Sequence, residues 1–298
     1  RLTSIIALYN YRDTTIAAQH LGITRAAVSG AVRHLEELLE TTLFERTPSG
    51  MICTPCGEDI IRHIKLAFTQ VRHGLDAMTS LDGIAQGAIV VGTLPYTRTV
   101  LVPRTINQLL EAHPQVKVST AEGSYAQLEV ALRSGDLDLI VGATRPDSEN
   151  KGLTTELLFE DRLTVIVRKD HPLSGKKNLS LADLQQARWI LPAQNTPARK
   201  LFDCILSEHK LSPPSHTVET SSLSTVRGLL LESDSVALLS EHQIYFDKQY
   251  KILTALPIVM NTTYRPIGVT VRANARLSPT TELFLTQLRQ VAKHLLKP

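Results

Sequence analysis

The chain has 298 residues, of which 43% are hydrophobic, and a net charge of +3, so we expect two or three globular domains with ordinary apolar cores. No apolar run approaches the roughly 20 residues of a membrane-spanning helix, which argues against a membrane protein. Three cysteines, an odd number, argue against a disulfide framework and favour a cytoplasmic location. Because the chain starts at Arg1 rather than Met, a few native residues are expected before it.

The first elements predicted along the chain are two short helices joined by a glycine turn. Residues 14–21 contain paired alanines that allow close helix approach, and Gly22 follows where this helix must end. Thr24 can cap the second helix by accepting a backbone N–H, and apolar residues then recur three or four positions apart as far as Leu38. The pattern favours a helix-turn-helix, although an ordinary antiparallel helix pair has the same spacing.

The second helix has a polar face that suits DNA. Arg25, Ser29 and Arg33 are four residues apart and share one side, where Arg can bond guanine edges and Ser can bond phosphates or bases. Residues 1–82 carry 8 Lys or Arg against 9 Asp or Glu, so affinity must come from a few placed cations, and its salt dependence is expected to be modest. The predicted DNA contacts are Thr24, Arg25, Ala26, Ser29, Arg33, His34, Arg46 and Ser49.

A hairpin is predicted directly after this helix, over residues 43–52. Pro48 and Gly50 bracket a tight turn between two short extended segments. A hairpin in this place makes a winged helix-turn-helix, in which Arg46 and Ser49 reach the phosphate backbone and position the head without reading sequence. We therefore expect residues 1–56 to form one DNA-binding domain.

One long helix is predicted from Gly57 to about Leu81, where proline is absent and apolar residues alternate four and three apart. At 1.5 Å per residue this helix is a rod of roughly 35 Å. Homodimerisation through its apolar stripe is the preferred interpretation, and packing against the protein's own body is the alternative. A hinge is expected at residues 83–87. The stripe comprises Ile60, Ile61, Ile64, Ala67, Phe68, Val71, Leu75 and Met78.

From Ala88 onward, short buried strands alternate with helices, which predicts parallel sheet with right-handed crossovers. The fold class is therefore α/β with a head rich in α-helix. Helices are expected between the strands, among them one over residues 125–134 that ends at Gly135, and the last one covers residues 279–296. The predicted strands are 88–91, 116–120, 137–141, 163–167, 189–191, 217–220, 236–239 and 267–271.

A series of short motifs runs through nearly the whole chain. In the head they are Ala17-Ala18, Leu21, Ala27-Val28-Ser29, Leu35-Glu36, Leu43-Phe44, Arg46 and Thr54-Pro55-Cys56-Gly57. In the body they are Gly87-Ala88-Ile89-Val90-Val91-Gly92, His113-Pro114-Gln115-Val116, Glu122-Gly123, Leu137-Asp138-Leu139-Ile140 and Asp170-His171-Pro172-Leu173. Matches in this order are very specific, and on them the chain resembles LysR-type transcriptional regulators.

This resemblance implies a homodimer, or a homotetramer built as a dimer of dimers, on double-stranded DNA. It also implies a small-molecule effector, and RNA polymerase as a partner if the protein is an activator. The implied architecture is a winged helix-turn-helix at 1–56, a dimerising linker helix and hinge at 57–87, and a periplasmic-binding-protein-like effector domain at 88–298. Two crossing strands would join its lobes, the first made of 88–162 and 268–298 and the second of about 163–267.

Two residues depart from the family pattern. Arg25 stands where the family usually has Gln, at the start of the recognition helix. Arg favours guanine where Gln favours adenine, so we expect different bases in the half-site. Glu40 replaces the glycine that commonly ends this helix, which leaves the position of the helix end open.

An effector site is expected between the lobes, where strands end and helices begin. Hydroxyls beside free helix N–H groups favour a small anion or a polyol, and Arg145 would add a clamp for a carboxylate. The hypothesis is a small carboxylate or sugar acid, although each Ser or Thr taken alone can be a helix cap. The candidates are Thr93, Pro95, Tyr96, Thr97, Ser124, Tyr125, Thr144, Arg145, Asn195, Thr196, Ser221 and Ser222.

Motifs that carry chemistry are few. Cys53 and Cys56 form a lone C-x-x-C with only His63 as a further ligand within reach, so core filling is favoured over a zinc site or a redox pair. The sequence holds neither H-E-x-x-H nor G-x-S-x-G, and no metal, cofactor or catalytic activity is expected.

The rival interpretation is a small-molecule-binding or enzymatic α/β protein whose helical head only dimerises. The near-neutral head is its best support.

Overall fold

The computed structural model describes residues 1–79, 86–146, 151–260 and 263–295. The head has the predicted winged helix-turn-helix fold, and its helices and hairpin share one apolar core that includes Leu8, Ala17 and Val28. The chain order is α1 (Leu2–Tyr11), α2 (Thr14–Leu21), α3 (Arg25–Leu39), β1 (Phe44–Thr47) and β2 (Gly50–Cys53).

Capping side chains fix the ends of the head helices. Asp13 caps α2 by accepting from the backbone N–H groups of the two residues after Thr14, and these bonds hold the pKa of Asp13 below its ordinary value. Gly22 ends α2 in the left-handed conformation, with φ of 65°. Glu40 takes the same conformation at the end of α3, with φ of 50°. Leu38, predicted on the apolar face, is 71% exposed because it lies beyond the core of the head.

The long helix α4 (Pro55–Thr79) begins two residues before the predicted start. Ile61 and Ile64 in its first half pack into the core of the head. Farther along, the apolar stripe is 40–66% exposed over Phe68, Val71, Leu75 and Met78. The first half of the stripe therefore packs against the protein's own body, as the alternative interpretation has it. The second half is exposed, and dimerisation through it stays a prediction. Of the predicted hinge, residues 83–85 lie outside the described ranges.

The rest of the chain forms the two α/β lobes. The first half runs β3 (Ala88–Thr93), a 3-10 turn (Pro95–Arg98), α5 (Leu101–Ala112), β4 (Lys117–Glu122), α6 (Tyr125–Ser134), β5 (Leu139–Ala143) and β6 (Leu153–Arg168). A 3-10 turn (Leu181–Leu184) and β7 (Trp189–Leu191) follow, then α7 (Pro197–Glu208), β8 (Thr217–Glu219), α8 (Leu223–Glu232), β9 (Val236–Ser240), α9 (Tyr245–Gln249), β10 (Leu253–Ala255), β11 (Tyr264–Arg272) and α10 (Pro279–Leu295).

The strands of both lobes join through β6 and β11, in the order β4-β3-β5-β11-β6-β9-β7-β8. The predicted parallel pairing holds for β3, β4 and β5 in the first lobe and for β7, β8 and β9 in the second. It is wrong for β6 and β11, which pair antiparallel with each other and with their other neighbours, and β10, a strand that was not predicted, pairs antiparallel with β6. The first part of β6 pairs with β11, and its last six residues, from Leu163, pair with β9 and β10. The two lobes therefore meet along these crossing strands.

Apolar side chains fill both lobes separately. In the first lobe α5 and α10 cover one face of the sheet around Ile89 and Phe284, and α6 covers the other around Leu132. In the second lobe α7 covers Trp189, and α8 packs on the opposite face around Ile190. Within the described ranges, no helix combines the length and the apolarity that crossing a bilayer requires.

Candidate functional site

The polar face of α3 is open to solvent and continuous with the hairpin. All eight residues predicted to contact DNA have exposed side chains: Thr24, Arg25, Ala26, Ser29, Arg33, His34, Arg46 and Ser49. The opposite face of α3, with Val28 and Val32, is buried in the core of the head. Thr24 caps the helix by accepting from the backbone N–H of Ala27 at 3.2 Å. The helix can therefore enter a groove without disturbing the core.

Glu36 connects α3 to the hairpin, a link that the predicted contacts do not include. Its carboxylate accepts from the backbone N–H groups of Leu43 and Phe44 at 2.7 and 3.1 Å. These residues lead into β1, so Glu36 fixes the angle between the recognition helix and the wing. At the tip, Gly50 has φ of 116° and its neighbour Met51 donates to the carbonyl of Arg12 at 2.8 Å, which holds the wing against α1.

A cavity of about 830 Å³ lies between the two lobes. The first residues of α6, α7 and α8 line it, so helix N-termini with free N–H groups face the space from both lobes. Much of the remaining wall is apolar, with Leu94, Leu163, Ile190, Leu191, Val226, Leu238 and Leu239. Such a wall with a few polar groups is typical of sites for small ligands.

The cavity brings together eight of the twelve residues predicted for the effector: Pro95, Tyr96, Ser124, Tyr125, Arg145, Asn195, Thr196 and Ser221. Ser124 and Thr196 are also N-caps, which accept from the backbone N–H groups of Gln127 at 3.4 Å and Arg199 at 3.3 Å. Ser124 and Thr196 therefore cap helices and line the cavity at the same time. Burial and the nearby Asp161 carboxylate raise the pKa of Tyr96, so its phenol stays neutral.

Four of the predicted effector residues do not line the cavity. Thr93 and Thr97 are buried, and their hydroxyls donate to backbone carbonyls, of Ala121 for Thr93 and of Leu94 and Val141 for Thr97. Thr144 donates its backbone N–H to the carbonyl of Pro266 and sits beside β11. Ser222 is the N-cap of α8. The hydroxyls of Thr93, Thr97 and Ser222 therefore bond the protein's own backbone instead of lining the cavity.

Sequence patterns missed several polar residues of the cavity, among them Arg98, Glu122, Gln243 and Arg265. Arg98 forms an ion pair with Glu122 at 3.0 Å, and burial lowers the pKa of its guanidinium despite that carboxylate. With Arg145 and Arg265, the described wall holds three guanidinium groups, of which Arg98 is paired with Glu122 and Arg265 with Asp161 at 3.0 Å. The cavity is thus apolar over much of its surface and cationic at a few points.

The prediction that both cysteines of the C-x-x-C fill the core holds only for Cys53, which packs against the core of the head, and is wrong for Cys56, which is exposed. Cys53, Cys56 and Cys204 are free thiols, and burial raises the pKa of Cys53 to about 11, far from that of a reactive thiolate. In the described part of the chain, no group of three His, Cys, Asp or Glu side chains could hold a metal ion.

Comparisons with known proteins place the whole chain in one family. The model of the "LysR substrate binding domain" matches residues 83–293, and that of the "bacterial regulatory helix-turn-helix protein, lysR family" matches residues 1–58. The chain belongs to the LysR-type transcriptional regulators. The resemblance inferred from sequence is confirmed, and the rival interpretation as an enzyme or a simple binding protein is wrong. Relatives of the chain are transcriptional regulators by name.

The regulator is 34% identical to the HTH-type transcriptional regulator GalR of Pseudomonas putida, over 98% of this chain and 73% of that protein. It is 28% identical to PcaQ of Agrobacterium fabrum, over 99% and 94% of the two chains. In fold it matches a full-length OxyR variant from Pseudomonas aeruginosa with a TM-score of 0.70, at 23% identity over 98% and 93% of the chains. It also matches full-length CbnR in complex with its target DNA with a TM-score of 0.69, at 16% identity over 97% and 98%.

Proposed function

We propose that the regulator binds specific DNA through the polar face of α3 and the wing, and that a small carboxylate in the cavity between the lobes controls this binding in the cytoplasm. One combination of features supports the effector part of this proposal. The cavity of about 830 Å³ is largely apolar, and three guanidinium groups lie in its described wall. A carboxylate bonds guanidinium groups and helix N–H groups alike. The apolar wall favours a weakly hydroxylated acid over a sugar acid.

The exposed half of the α4 stripe supports assembly into a dimer, and we extend this to a dimer of dimers. An exposed row of large apolar side chains is stabilised by a second copy that removes it from water. Val71→Glu should then shift the protein toward monomer in sedimentation velocity. Gln70→Glu adds the same charge at the neighbouring exposed position, off the stripe, and should leave the mass unchanged. Equal behaviour of the two variants would refute the stripe as the interface.

In this assembly, two heads of a dimer would occupy inverted half-sites about one helical turn apart. The effector would bind one arrangement of the lobes more tightly than another, and the preferred arrangement would set the spacing of the heads and the bend of the DNA. RNA polymerase becomes a partner if the regulator activates transcription.

The DNA-binding part is tested by selecting bound fragments from the genomic DNA of the source organism and following affinity across salt concentrations. We expect a recurring interrupted palindrome. Weak binding without sequence preference, which vanishes as salt rises, would contradict specific recognition. In the second stage, Arg25→Ala and Arg33→Ala should lose the selected site while the proteins stay folded and oligomeric. Wild-type affinity in both variants would show that α3 does not read the site.

The effector part is tested by calorimetry on a metabolite panel. Carboxylates should give the tightest binding, and the ligand should alter the affinity or footprint on the selected DNA. A panel in which only neutral apolar compounds bind would overturn the carboxylate proposal and leave the DNA-binding proposal intact.

A further inference from the structure

We propose that Arg265 pairs with the anionic group of the effector, and that Asp161 positions its guanidinium for this role. The inference rests on the proposed effector cavity and deepens it by naming the pairing residue and the ligand class, a single carboxylate on an apolar body. Sequence motifs pointed instead to Arg145, which follows the end of a parallel strand. Arg265 lies near the start of the crossing strand β11.

Arg265 and Asp161 stand directly opposite each other where β11 pairs with β6. Nε of Arg265 donates to Oδ2 of Asp161 at 3.0 Å, and the two side chains are 10% and 1% exposed. The guanidinium stacks over the ring of Tyr96 at 5.0 Å and lines the cavity. A planar guanidinium held at Nε and at its face keeps its remaining N–H donors in a fixed direction.

Nη2 of Arg265 is the atom that indicates a ligand. It is buried and has no hydrogen-bond partner among the described residues. A buried donor on a charged group is costly when it lacks an acceptor, so most such groups in proteins are paired. Nη2 is shielded from the space of the cavity, so an acceptor that arrives with the ligand accounts for this donor once a small shift of the side chain exposes it. A carboxylate oxygen suits it best, because bonds between a guanidinium and a carboxylate are charge-assisted and directional.

The other guanidinium groups of the described wall have partners within the protein. Arg98 is paired with Glu122 at 3.0 Å, and its Nη2 donates to the carbonyl of Thr93 at 2.7 Å. Arg145 stacks on the ring of Tyr125 at 4.5 Å. The carboxylate of Glu122 would also repel a second anionic group placed near Arg98. These contacts favour a ligand with one carboxylate, directed to Arg265.

The apolar part of the wall indicates what this carboxylate is attached to. Leu163, Ile190, Leu191, Val226, Leu238 and Leu239 line the same cavity. All six are buried, between 1% and 8% exposed, so the faces that they turn to the cavity are small but apolar, and a ligand gains from covering them. An aromatic or aliphatic body matches this wall better than a chain of hydroxyl groups does.

Asp161 also links the pairing site to the second lobe. Its Oδ1 accepts from Oγ of Ser240 at 2.6 Å and lies 3.4 Å from Nδ1 of His242. The ring of His242 packs against those of Tyr96 and Phe159, with centroids 5.9 and 6.0 Å apart. A carboxylate that bonds Arg265 therefore changes the charge balance at the point where the lobes meet. This gives the ligand a contact that depends on how the lobes are arranged.

The test is calorimetry on the full chain with phenylacetate, hexanoate and gluconate, each compared with its own amide. Phenylacetate or hexanoate should bind the wild type at least tenfold more tightly than its amide does. Arg265→Gln should weaken binding of the acid at least tenfold and leave the amide unchanged, because only the acid uses the charge-assisted bond. Arg265→Lys keeps the charge without the planar guanidinium, so its affinity for the acid should lie between those of the wild type and Arg265→Gln.

Two further variants separate the pairing role from a structural one. Arg289→Gln removes a guanidinium that is paired with Glu156 at 2.7 Å outside the cavity wall, and it should leave all affinities unchanged. Asp161→Asn should reduce the preference for acid over amide while Arg265 is still present, since the guanidinium loses its fixed orientation. Circular dichroism, together with binding to the selected DNA site, shows whether each variant keeps its fold.

Each remaining outcome overturns a defined part of the proposal. Wild-type binding of the acid by Arg265→Gln, or equal weakening of acid and amide, would refute the role of Arg265 and leave the carboxylate effector standing. If no acid binds the wild type more tightly than its amide, the carboxylate effector fails together with the inference. Tight binding of gluconate alone would refute the apolar body.

Discussion

Replacing Asp138 with Asn should loosen the contact between the linker helix α4 and the first lobe. Oδ1 of Asp138 accepts from Nε2 of His73 at 3.0 Å and from Nη2 of Arg72 at 3.1 Å, both on α4. Oδ2 accepts from the backbone N–H of Val90 on β3 at 2.8 Å. One buried carboxylate thus joins the linker to the sheet. Asn keeps a single acceptor oxygen and no charge.

We expect the substitution to cost about 2–3 kcal/mol. A hydrogen bond to a charged group contributes about 1.5–3 kcal/mol, and removing one partner of a fully buried pair costs about 3–5 kcal/mol. Asp138 is 1% exposed, but Arg72 is 37% exposed, so water offsets part of its loss and the cost falls below the range for a fully buried pair. Local opening of the contact should rise about 30- to 160-fold.

Hydrogen exchange of the backbone amides in the second half of α4 measures this opening. Asp136→Asn is the matched control, because Asp136 also pairs with α4, through Lys65 at 2.9 Å, but is 49% exposed. An exposed pair of this kind contributes less than about 1 kcal/mol. Equal exchange rates in α4 for the two variants would refute the reasoning. A uniform increase over the whole protein would also refute it, since that indicates global destabilisation.

The same carboxylate has a predictable acid dependence. Burial raises the pKa of Asp138, but the hydrogen bonds from His73 and Val90 and the charge of Arg72 outweigh it, so the pKa lies below its ordinary value of 3.8. A carboxyl group with a lowered folded pKa contributes stability above its unfolded pKa and loses it as the pH falls through the folded pKa. This contribution should therefore be constant near neutrality and disappear below pH 3.8, and Asp138→Asn should lack that dependence in urea unfolding.

Further predictions concern the head. Arg25→Ala should cost about 1–3 kcal/mol and relax the preference at one base, whereas Arg46→Ala should weaken all duplexes alike and lower the salt slope by about 1. Anisotropy titrations on selected and scrambled duplexes decide this, and an Arg46 effect confined to one base would contradict its role. Glu40→Gly should raise the free energy of unfolding by about 0.5–1 kcal/mol, because Glu40 has a φ of 50° that glycine adopts more easily. Gly22→Ala, at φ of 65°, should lower it by about 1 kcal/mol, and reversed signs in urea unfolding would refute both.

Signals within a few residues were enough to predict the head. Gly22 and Thr24 mark the turn, and the hairpin follows from Pro48 and Gly50, since each of these residues acts on its immediate neighbours. The helix Tyr125–Ser134 has the predicted bounds for the same reason, with Ser124 as its N-cap and a glycine after its last residue. Local chemistry determines such ends, and distant parts of the chain change them little.

The crossing strands were harder to predict, because distant pairing determines them. The first ten residues of β6 were missed altogether, and they are strand because they lie against β11, about a hundred residues later in the chain. The three-residue strand β10 was missed for the same reason, since its partner is the end of β6. Strand formation depends on the neighbouring strand more than on intrinsic preference, so such segments lack a strong local signal.

The pair of Arg265 and Asp161 was missed for a related reason, but the sequence does hold a usable signal for it. Side chains alternate between the faces of a strand, so Asp161 shares its face with the buried residues Phe159 and Leu163. Arg265 likewise shares its face with Thr263 and Ile267, which are also buried. A charged residue among buried side chains needs a partner that offsets the cost of its desolvation. An opposite charge on the adjacent strand can be that partner. A charge within a row of buried side chains on each of two strands therefore marks both residues, and with them the place where the lobes meet.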